Sequence, residues 1–146
     1  QTNQYLALNE LQTKYGEGFQ VIGFPCNQFG LQENSTNEEI LNTLKYVRPG
    51  AGYVPNFPLS QKIEVNGDGA HPLFKWLRTV APENDTPSSW LTNTTPGGLV
   101  TTAAAGSDIR WNFEKFLVGK DGTTVQRFKH TEQPADMKAA IEAMLG

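Results

Sequence analysis

The chain has 146 residues, a length that predicts one domain with a hydrophobic core of its own. Its formal net charge of −3 argues against a surface dedicated to nucleic acid, and no apolar run approaches the roughly 18 residues of a membrane-spanning helix. The single cysteine, Cys26, excludes an internal disulfide and a paired-cysteine metal or redox motif. The composition leaves the compartment open between the cytoplasm and secretion.

The first part of the chain alternates between patterns typical of helices and of strands. Residues Gln4–Tyr15 predict a helix, because apolar side chains recur there every three or four positions. Residues Phe19–Phe24 form a short apolar run that predicts a buried strand. Overlapping capping-box patterns at Ser35 and Thr36 predict that a second helix begins there. The apolar face of that helix would consist of Ile40, Leu41, Leu44 and Val47.

The rest of the chain predicts further helices, a long polar loop and a β-hairpin. The dipeptide Asp121-Gly122 is a strong signal for the turn of that hairpin. The predicted elements are the strand Lys62–Val65, the helix Pro72–Val80, the loop Pro82–Gly106, the strands Arg110–Val118 and Thr123–Phe128, and the helix Pro134–Leu145. Because strands alternate with helices and a hairpin comes late, the order favours an α/β sandwich.

Two longer segments carry a family resemblance. Residues 23–33 read Gly-Phe-Pro-Cys-Asn-Gln-Phe-Gly-Leu-Gln-Glu, and residues 111–122 read Trp-Asn-Phe-Glu-Lys-Phe-Leu-Val-Gly-Lys-Asp-Gly. In order and in spacing they resemble the signature segments of the glutathione peroxidase family. A looser resemblance extends along the whole chain. It implies an α/β, thioredoxin-like fold that forms a single domain over residues 1–146.

The resemblance also implies where the attacking atom lies. The family's redox residue is a selenocysteine or a cysteine, in a segment that resembles Sec/Cys-Gly-x-Thr. Because Gln1 and Thr2 fit the last two places of that segment, we expect the nucleophile two places before Gln1. We therefore expect a domain that is incomplete at its N terminus and lacks the first central strand of the fold. The choice between selenocysteine and cysteine stays open.

The resemblance implies a peroxidase that reduces hydrogen peroxide and organic hydroperoxides with glutathione, without a prosthetic cofactor or a metal. The ionised chalcogen is the reactive species, so the site has to favour the anion. Amide and indole N–H groups do this through charge-assisted hydrogen bonds. By residue-for-residue match, the catalytic donors are Gln32, Trp111 and Asn112. In a regular strand Trp111 and Asn112 would point to opposite faces, so both reach one site only where the backbone is irregular.

The same match indicates residues that meet the thiol substrate and a partner subunit. Arg48 matches a basic residue of the tetrameric, glutathione-type members, and Arg suits carboxylate recognition. Arg127 and Lys129 lie where the family often has an arginine cluster, whose later positions are not arginine here, so glutathione and another thiol both stay open as reductants. Residues 44–57 resemble the insertion of the oligomeric members, which implies a homodimer or homotetramer through this segment.

Two alternatives concern Cys26 and the function itself. As a substitute nucleophile or resolving thiol, Cys26 does not match the family, whose thioredoxin-dependent members carry the resolving cysteine further along the chain. A packed, unreactive thiol is the favoured interpretation. The alternative function is a redox-inactive binding or scaffold protein on a degenerate thioredoxin fold. The presence of all three donors argues against it, and the 146 residues alone are predicted to be an inactive peroxidase.

Overall fold

A computed structural model describes residues 1–83 and 107–146 of the chain. These residues contact one another as two compact units. The first unit consists of Gln1–Pro25, Asn34–Lys62 and Glu132–Gly146, and the second consists of Cys26–Glu33 and the described residues within Ile63–Thr131. The single domain over residues 1–146 stays a prediction. The predicted loop Pro82–Gly106 lies, from residue 84 onward, outside the described residues.

The described residues form a mixture of helices and a small sheet. The helices are α1 (Gln4–Tyr15), α2 (Ile40–Tyr46), α3 (Pro72–Val80) and α4 (Lys138–Leu145), the strands are β1 (Lys115–Val118) and β2 (Val125–Phe128), and a 3-10 turn spans Pro134–Met137. Helices α1 and α3 have the predicted bounds. No helix within residues 1–83 and 107–146 has both the length and the apolar character that a membrane crossing requires.

A hydrophobic cluster in the first unit packs the segment after α2 against α1. The rings of Tyr5 and Tyr53 lie 5.5 Å apart in a tilted arrangement. The Tyr53 hydroxyl donates to Asn9 Oδ1 at 2.9 Å, and Asn9 Nδ2 donates to the Val54 carbonyl at 2.9 Å. The other side chains of this cluster are Ile40, Leu44 and Leu59. Residues near position 53 are therefore fixed to α1 by both aromatic packing and hydrogen bonds.

Helix α2 begins later than the capping boxes predict. The Thr36 N–H does donate to the Glu39 carboxylate at 3.0 Å, but Thr36 O accepts the Glu39 N–H at 3.0 Å in a turn that precedes the helix. The first helical residue is Ile40. Of the predicted apolar face, Ile40 and Leu44 are buried, whereas Leu41 and Val47 are exposed.

The strand predicted at Phe19–Phe24 is wrong. One isolated parallel bridge joins Gly23 to Leu59, in which the Gly23 N–H donates to Pro58 O and the Ser60 N–H donates to Gly23 O, both at 2.9 Å. A strand needs a ladder of such bonds, and the described residues supply only this pair. The short strand predicted at Lys62–Val65 is likewise wrong.

The C-terminal segment contains a break that the sequence pattern did not predict. Its first turn, Pro134–Met137, is a 3-10 turn, and only α4 is α-helical. The Gln133 N–H donates to the Asp136 carboxylate at 2.7 Å, so the backbone N–H just before the 3-10 turn has a hydrogen-bond partner. The predicted helix Pro134–Leu145 is therefore correct in extent and wrong in the type of its first turn.

The second unit contains α3 and the hairpin. His71 Nδ1 accepts the Leu73 N–H at 3.1 Å and caps α3. Strands β1 and β2 pair antiparallel, and the turn between them contains Gly122 with φ of 72°. The predicted hairpin is confirmed, with strands of four residues each that are shorter than expected. Residues 110–114 precede β1 without being part of it.

A second core holds the loop after Pro25 against the hairpin. Its buried members are Cys26, Phe29, Val65 and Ile109, and its half-buried members are Ile63, Phe74, Trp111 and Phe116. The rings of Phe74 and Phe116 meet edge to face with centroids 6.2 Å apart. Both signature segments therefore contribute side chains to one core, which brings their polar residues into the same neighbourhood.

Candidate active site

The loop that carries Gln32 turns through two left-handed residues. Gly30 has φ of 66° and Leu31 has φ of 49°. Asn27 Oδ1 accepts the Glu33 N–H at 2.9 Å and closes the loop. These contacts present Gln32 as an exposed side chain on a fixed backbone.

Trp111 and Asn112 lie on the irregular segment before β1. Phe113 has φ of 68°, a left-handed conformation that interrupts the alternation of a strand. The Trp111 ring packs against Phe29, with centroids 5.8 Å apart. Asn112 Nδ2 donates to Gln32 Oε1 at 2.9 Å and approaches the Phe29 carbonyl at 3.4 Å. The irregular backbone thus lets both side chains reach the loop that carries Gln32, as the sequence argument required.

Gly30 brings the loop close to the indole ring. A Cβ atom at this position would lie 3.3 Å from Trp111 Cη2 and 3.4 Å from Gln32 Cγ. The positive φ and the close approach are two separate reasons for glycine here. Gln32, Trp111 and Asn112 are therefore in one place in the second unit.

The contact between Gln32 and Asn112 determines which end of the glutamine amide is available. Because Asn112 donates to Oε1, the Nε2 group of Gln32 points away from this contact. Within the described part of the chain, no side chain or carbonyl accepts a hydrogen bond from Gln32 Nε2. The two N–H bonds of Gln32 Nε2 are therefore available as donors, and such donors can stabilise an anion.

A buried ion pair holds the segment that carries Trp111 and Asn112. Arg127 Nη2 donates to Glu114 Oε2 at 2.8 Å, and the two side chains are 5% and 2% exposed. Burial raises the pKa of Glu114, and the neighbouring Arg127 guanidinium opposes that shift. Sequence reasoning missed Glu114, although it lies within the second signature segment, because a single acidic residue before a strand usually indicates a solvated position.

The guanidinium of Arg127 is occupied by structural contacts. It donates to the carbonyl oxygens of Ala81, Ser107 and Asp108 at 3.2, 3.0 and 2.9 Å. It also lies over the Phe116 ring, 5.2 Å from the centroid. These contacts give Arg127 a role in stabilising the hairpin, and its role in substrate binding stays a prediction.

The other two cationic residues predicted to bind substrate are both exposed. Arg48 follows α2 in the first unit, and its backbone N–H donates to Thr43 O at 2.9 Å. Lys129 follows β2 in the second unit. Their exposure is compatible with recognition of a carboxylate, and the substrate-binding roles stay predictions.

Cys26 is packed in the core of the second unit and is 9% exposed. Its Sγ accepts the Gln28 N–H at 3.5 Å. These surroundings are those of a structural thiol. Among residues 1–83 and 107–146, no three His, Cys, Asp or Glu side chains come together in a group that could hold a metal ion.

Comparison with known proteins identifies the family. A family model described as glutathione peroxidase matches residues 1–78, more than half of the chain. The chain is also 51% identical over 146 residues to glutathione peroxidase 1 of Rattus norvegicus, which covers 99% of this chain and 72% of the relative. The chain belongs to the glutathione peroxidase family. Both signature segments lie within the match to the rat relative.

Further members of the family agree with this assignment. Glutathione peroxidase 1 of Macaca fuscata fuscata is 52% identical over 143 residues, which cover 97% of this chain and 70% of the relative. The crystal structure of T. cruzi GPX1 superposes with a TM-score of 0.61 at 28% identity and covers 98% of this chain and 71% of that one. The crystal structure of Trgpx in apo form gives 0.60 at 32% identity, with coverage of 99% and 72%. The α/β, thioredoxin-like fold of glutathione peroxidases is thereby confirmed.

Proposed function

We propose that this chain carries the hydrogen-bond donors of a peroxidase that reduces hydrogen peroxide and organic hydroperoxides with glutathione. The catalytic donors are Gln32, Trp111 and Asn112. The family membership and the names of the relatives support the reaction. The placement of the three side chains in the second unit supports their roles.

The observation that carries the proposal is the hydrogen bond from Asn112 Nδ2 to Gln32 Oε1 at 2.9 Å. It joins two side chains that are 80 positions apart in sequence and leaves the N–H groups of Gln32 directed elsewhere. The presence of all three donor residues in one unit argues against a redox-inactive scaffold protein. The alternative function therefore has less support than the peroxidase.

The chemistry requires a selenolate or thiolate that attacks a peroxide oxygen and is then regenerated by thiols. We propose that this nucleophile lies two places before Gln1 and that it is a selenocysteine, with cysteine as the alternative. Gln32 would donate to the chalcogen anion through Nε2, and Asn112 would do so by giving up its long 3.4 Å contact with the Phe29 carbonyl. Both bonds favour the ionised form, since each hydrogen bond to a charged group contributes about 1.5–3 kcal/mol. The half-buried indole of Trp111 would supply the third donor through its ring N–H.

A peroxidase assay on the 146-residue chain tests the assignment of the nucleophile. We expect negligible glutathione-dependent turnover, because the only thiol among the 146 residues is Cys26 and it is buried. The Cys26→Ser variant should behave like the wild type. A rate within about tenfold of an intact relative that is abolished by Cys26→Ser would make Cys26 the nucleophile and overturn the proposal.

The product of the complete gene distinguishes the two candidate functions. We expect a selenocysteine or cysteine before a Gly-Gln-Thr sequence and peroxidase activity with glutathione. A gene that encodes neither residue there, together with a stable and inactive product, would favour the scaffold protein.

We propose further that the protein assembles as a homodimer or homotetramer through residues 44–57. Three large apolar side chains of this segment are strongly exposed: Tyr46, Val47 and Val54 are 69%, 70% and 61% exposed. Their neighbours Tyr53 and Phe57 are buried and fix the segment in place. Exposed apolar side chains on a fixed backbone are typical of the centre of an interface.

A further inference from the structure

The side chain of Gln28 binds the backbone of a distant segment. Its Oε1 accepts the N–H groups of Val65 and Asn66 at 2.8 and 3.1 Å, and its Nε2 donates to the Asn66 carbonyl at 3.0 Å. A neighbouring strand would supply such bonds in a sheet, and here one side-chain amide supplies them. The backbone N–H groups of Val65 and Asn66 therefore have hydrogen-bond partners although neither residue belongs to a strand.

The side chain of Asn66 binds the backbone of Ile109 in the same way. Its Oδ1 accepts the Ile109 N–H at 2.8 Å, and its Nδ2 donates to the Ile109 carbonyl at 2.9 Å. Asn66 and Ile109 are 6% and 3% exposed, so water does not compete for these bonds. Both backbone groups of one residue are paired, as in a hydrogen-bonded pair of an antiparallel sheet.

The two amides connect the segments that carry the proposed donors. Gln28 lies four residues before Gln32 on the same loop, and Ile109 lies three residues before Asn112. The sheet within residues 1–83 and 107–146 contains only β1 and β2, so no β-ladder joins these segments there. A relay of side-chain amides from Gln28 through Asn66 to Ile109 therefore joins the two segments, in addition to the packing of Phe29 against Trp111.

We propose that Gln28 and Asn66 are positioning residues that hold Gln32 and Asn112 within hydrogen-bond distance. The chemical importance of this placement rests on the proposed function. The placement itself is measured without activity, so its failure is distinguishable from a failure of the proposed function. Neither residue touches the reacting atoms, and each acts through the backbone that it binds.

Hydrogen exchange of the unmodified 146-residue chain tests the relay directly. The amide protons of Val65, Asn66 and Ile109 should exchange roughly 100-fold or more slowly than in an unfolded peptide, because each is bonded to a side-chain oxygen. Unprotected exchange at Ile109 and Val65 would overturn the proposal, and this measurement needs no variant.

Variants then test whether the bonds of Gln28 and Asn66 determine the positions of Gln32 and Asn112. Asn66→Ala and Asn66→Asp should both shift the NMR signals of the Trp111 indole N–H and of the Asn112 side-chain amide. Asn56→Ala is the matched control, because Asn56 Nδ2 also makes two hydrogen bonds, to Asn9 O and Thr13 Oγ1, within the first unit. It should lower stability without moving those signals. Unchanged signals in folded Asn66 variants would overturn the proposal.

A graded pair at Gln28 separates positioning from general loss of stability. Gln28→Glu keeps the oxygen that accepts from Val65 and Asn66 but places an oxygen in place of the Nε2 donor, whereas Gln28→Ala loses all three bonds to Val65 and Asn66 and the contact with Cys26 Sγ. We expect a smaller shift of the Asn112 amide signal in Gln28→Glu than in Gln28→Ala. Equal shifts, or shifts spread evenly over the first unit, would contradict a specific positioning role. Should an alanine variant fail to fold, Gln28→Glu and the exchange data decide the question.

Discussion

At the scale of single residues, Gly30 shows how the candidate site restricts its own sequence. Its φ of 66° disfavours any side chain, and a Cβ would press on Trp111 Cη2 at 3.3 Å. Gly52 has a comparable φ of 78° and has nothing within 4 Å of a Cβ. The two glycines share the conformational constraint and differ in the contact.

The contrast between the two glycines predicts that Gly30→Ala is more destabilising than Gly52→Ala. Both variants should lose about 1–2 kcal/mol of unfolding free energy through the left-handed conformation. Gly30→Ala should lose more than Gly52→Ala and should also change the fluorescence of Trp111, because the new methyl group displaces the indole. Urea unfolding and emission spectra measure the two effects. Equal stability losses with unchanged emission would show that the approach to Trp111 is looser than described.

The sequence was informative about Gln32, Trp111 and Asn112 and silent about Asn66. The three proposed donors lie inside long signature segments, where residue type and position together carry information. Asn66 follows an apolar run and belongs to a turn signal, so nothing local indicates that its amide binds Ile109. A contact across 43 positions depends on how the segments pack, which one sequence does not reveal.

At the scale of elements, the hairpin turn is stabilised by one carboxylate. Asp121 Oδ1 accepts the N–H groups of Thr123 and Thr124, both at 2.9 Å, and Oδ2 accepts the Thr124 hydroxyl at 2.5 Å. These bonds, the one from the Thr124 side chain first, lower the pKa of Asp121 to about 2 from 3.8. The ionised form is therefore the form that the folded turn favours.

A pH dependence follows from this shift. Because the folded-state pKa lies below the unfolded value, Asp121 contributes stability above pH 3.8, and the contribution is lost as the pH falls toward about 2. The difference in unfolding free energy between the wild type and Asp121→Asn should be constant above pH 5 and shrink across that window. Denaturant titrations at several pH values measure it. A difference that does not change with pH would contradict the assignment of these bonds to the carboxylate.

The bounds of two helices were predictable from sequence, whereas two of the predicted strands do not form. Helices α1 and α3 follow from local periodicity and end signals, so their bounds agree with the prediction. A strand exists only with a hydrogen-bonded neighbour, and the run Phe19–Phe24 has one bridge in place of a ladder. The hairpin was predictable because its two strands are adjacent in sequence. Strand β1 begins only at Lys115, because the left-handed conformation of Phe113 interrupts the strand before that residue. No sequence pattern predicts this conformation.

At the scale of the whole molecule, the proposed assembly depends on exposed apolar residues of the first unit. Val47 and Val54 should lie inside an interface, whereas Val118, which is 43% exposed, lies on β1 in the second unit. Replacement of Val47 and Val54 by Asp should dissociate the assembly, since buried unpaired charges are costly. Val118→Asp is the matched control and should leave the assembly intact.

Light scattering of the complete gene product at micromolar concentration measures the assembly. We expect the mass of a dimer or tetramer for the wild type and for Val118→Asp, and a monomer for the doubly substituted Val47 and Val54 variant. A monomeric wild type, or an assembly that survives both substitutions, would show that residues 44–57 are not the interface.

The most direct test of the account is the effect of Gln32→Ala on the peroxidase activity of the complete gene product. We propose that Gln32, oriented by Asn112, donates to the reacting chalcogen. The loss of a hydrogen bond worth about 1.5–3 kcal/mol should lower kcat/KM by roughly 10–100-fold. The exposed Gln126 on β2 supplies the control, because Gln126→Ala should leave the rate unchanged. Equal rates for wild type, Gln32→Ala and Gln126→Ala would contradict the central claim.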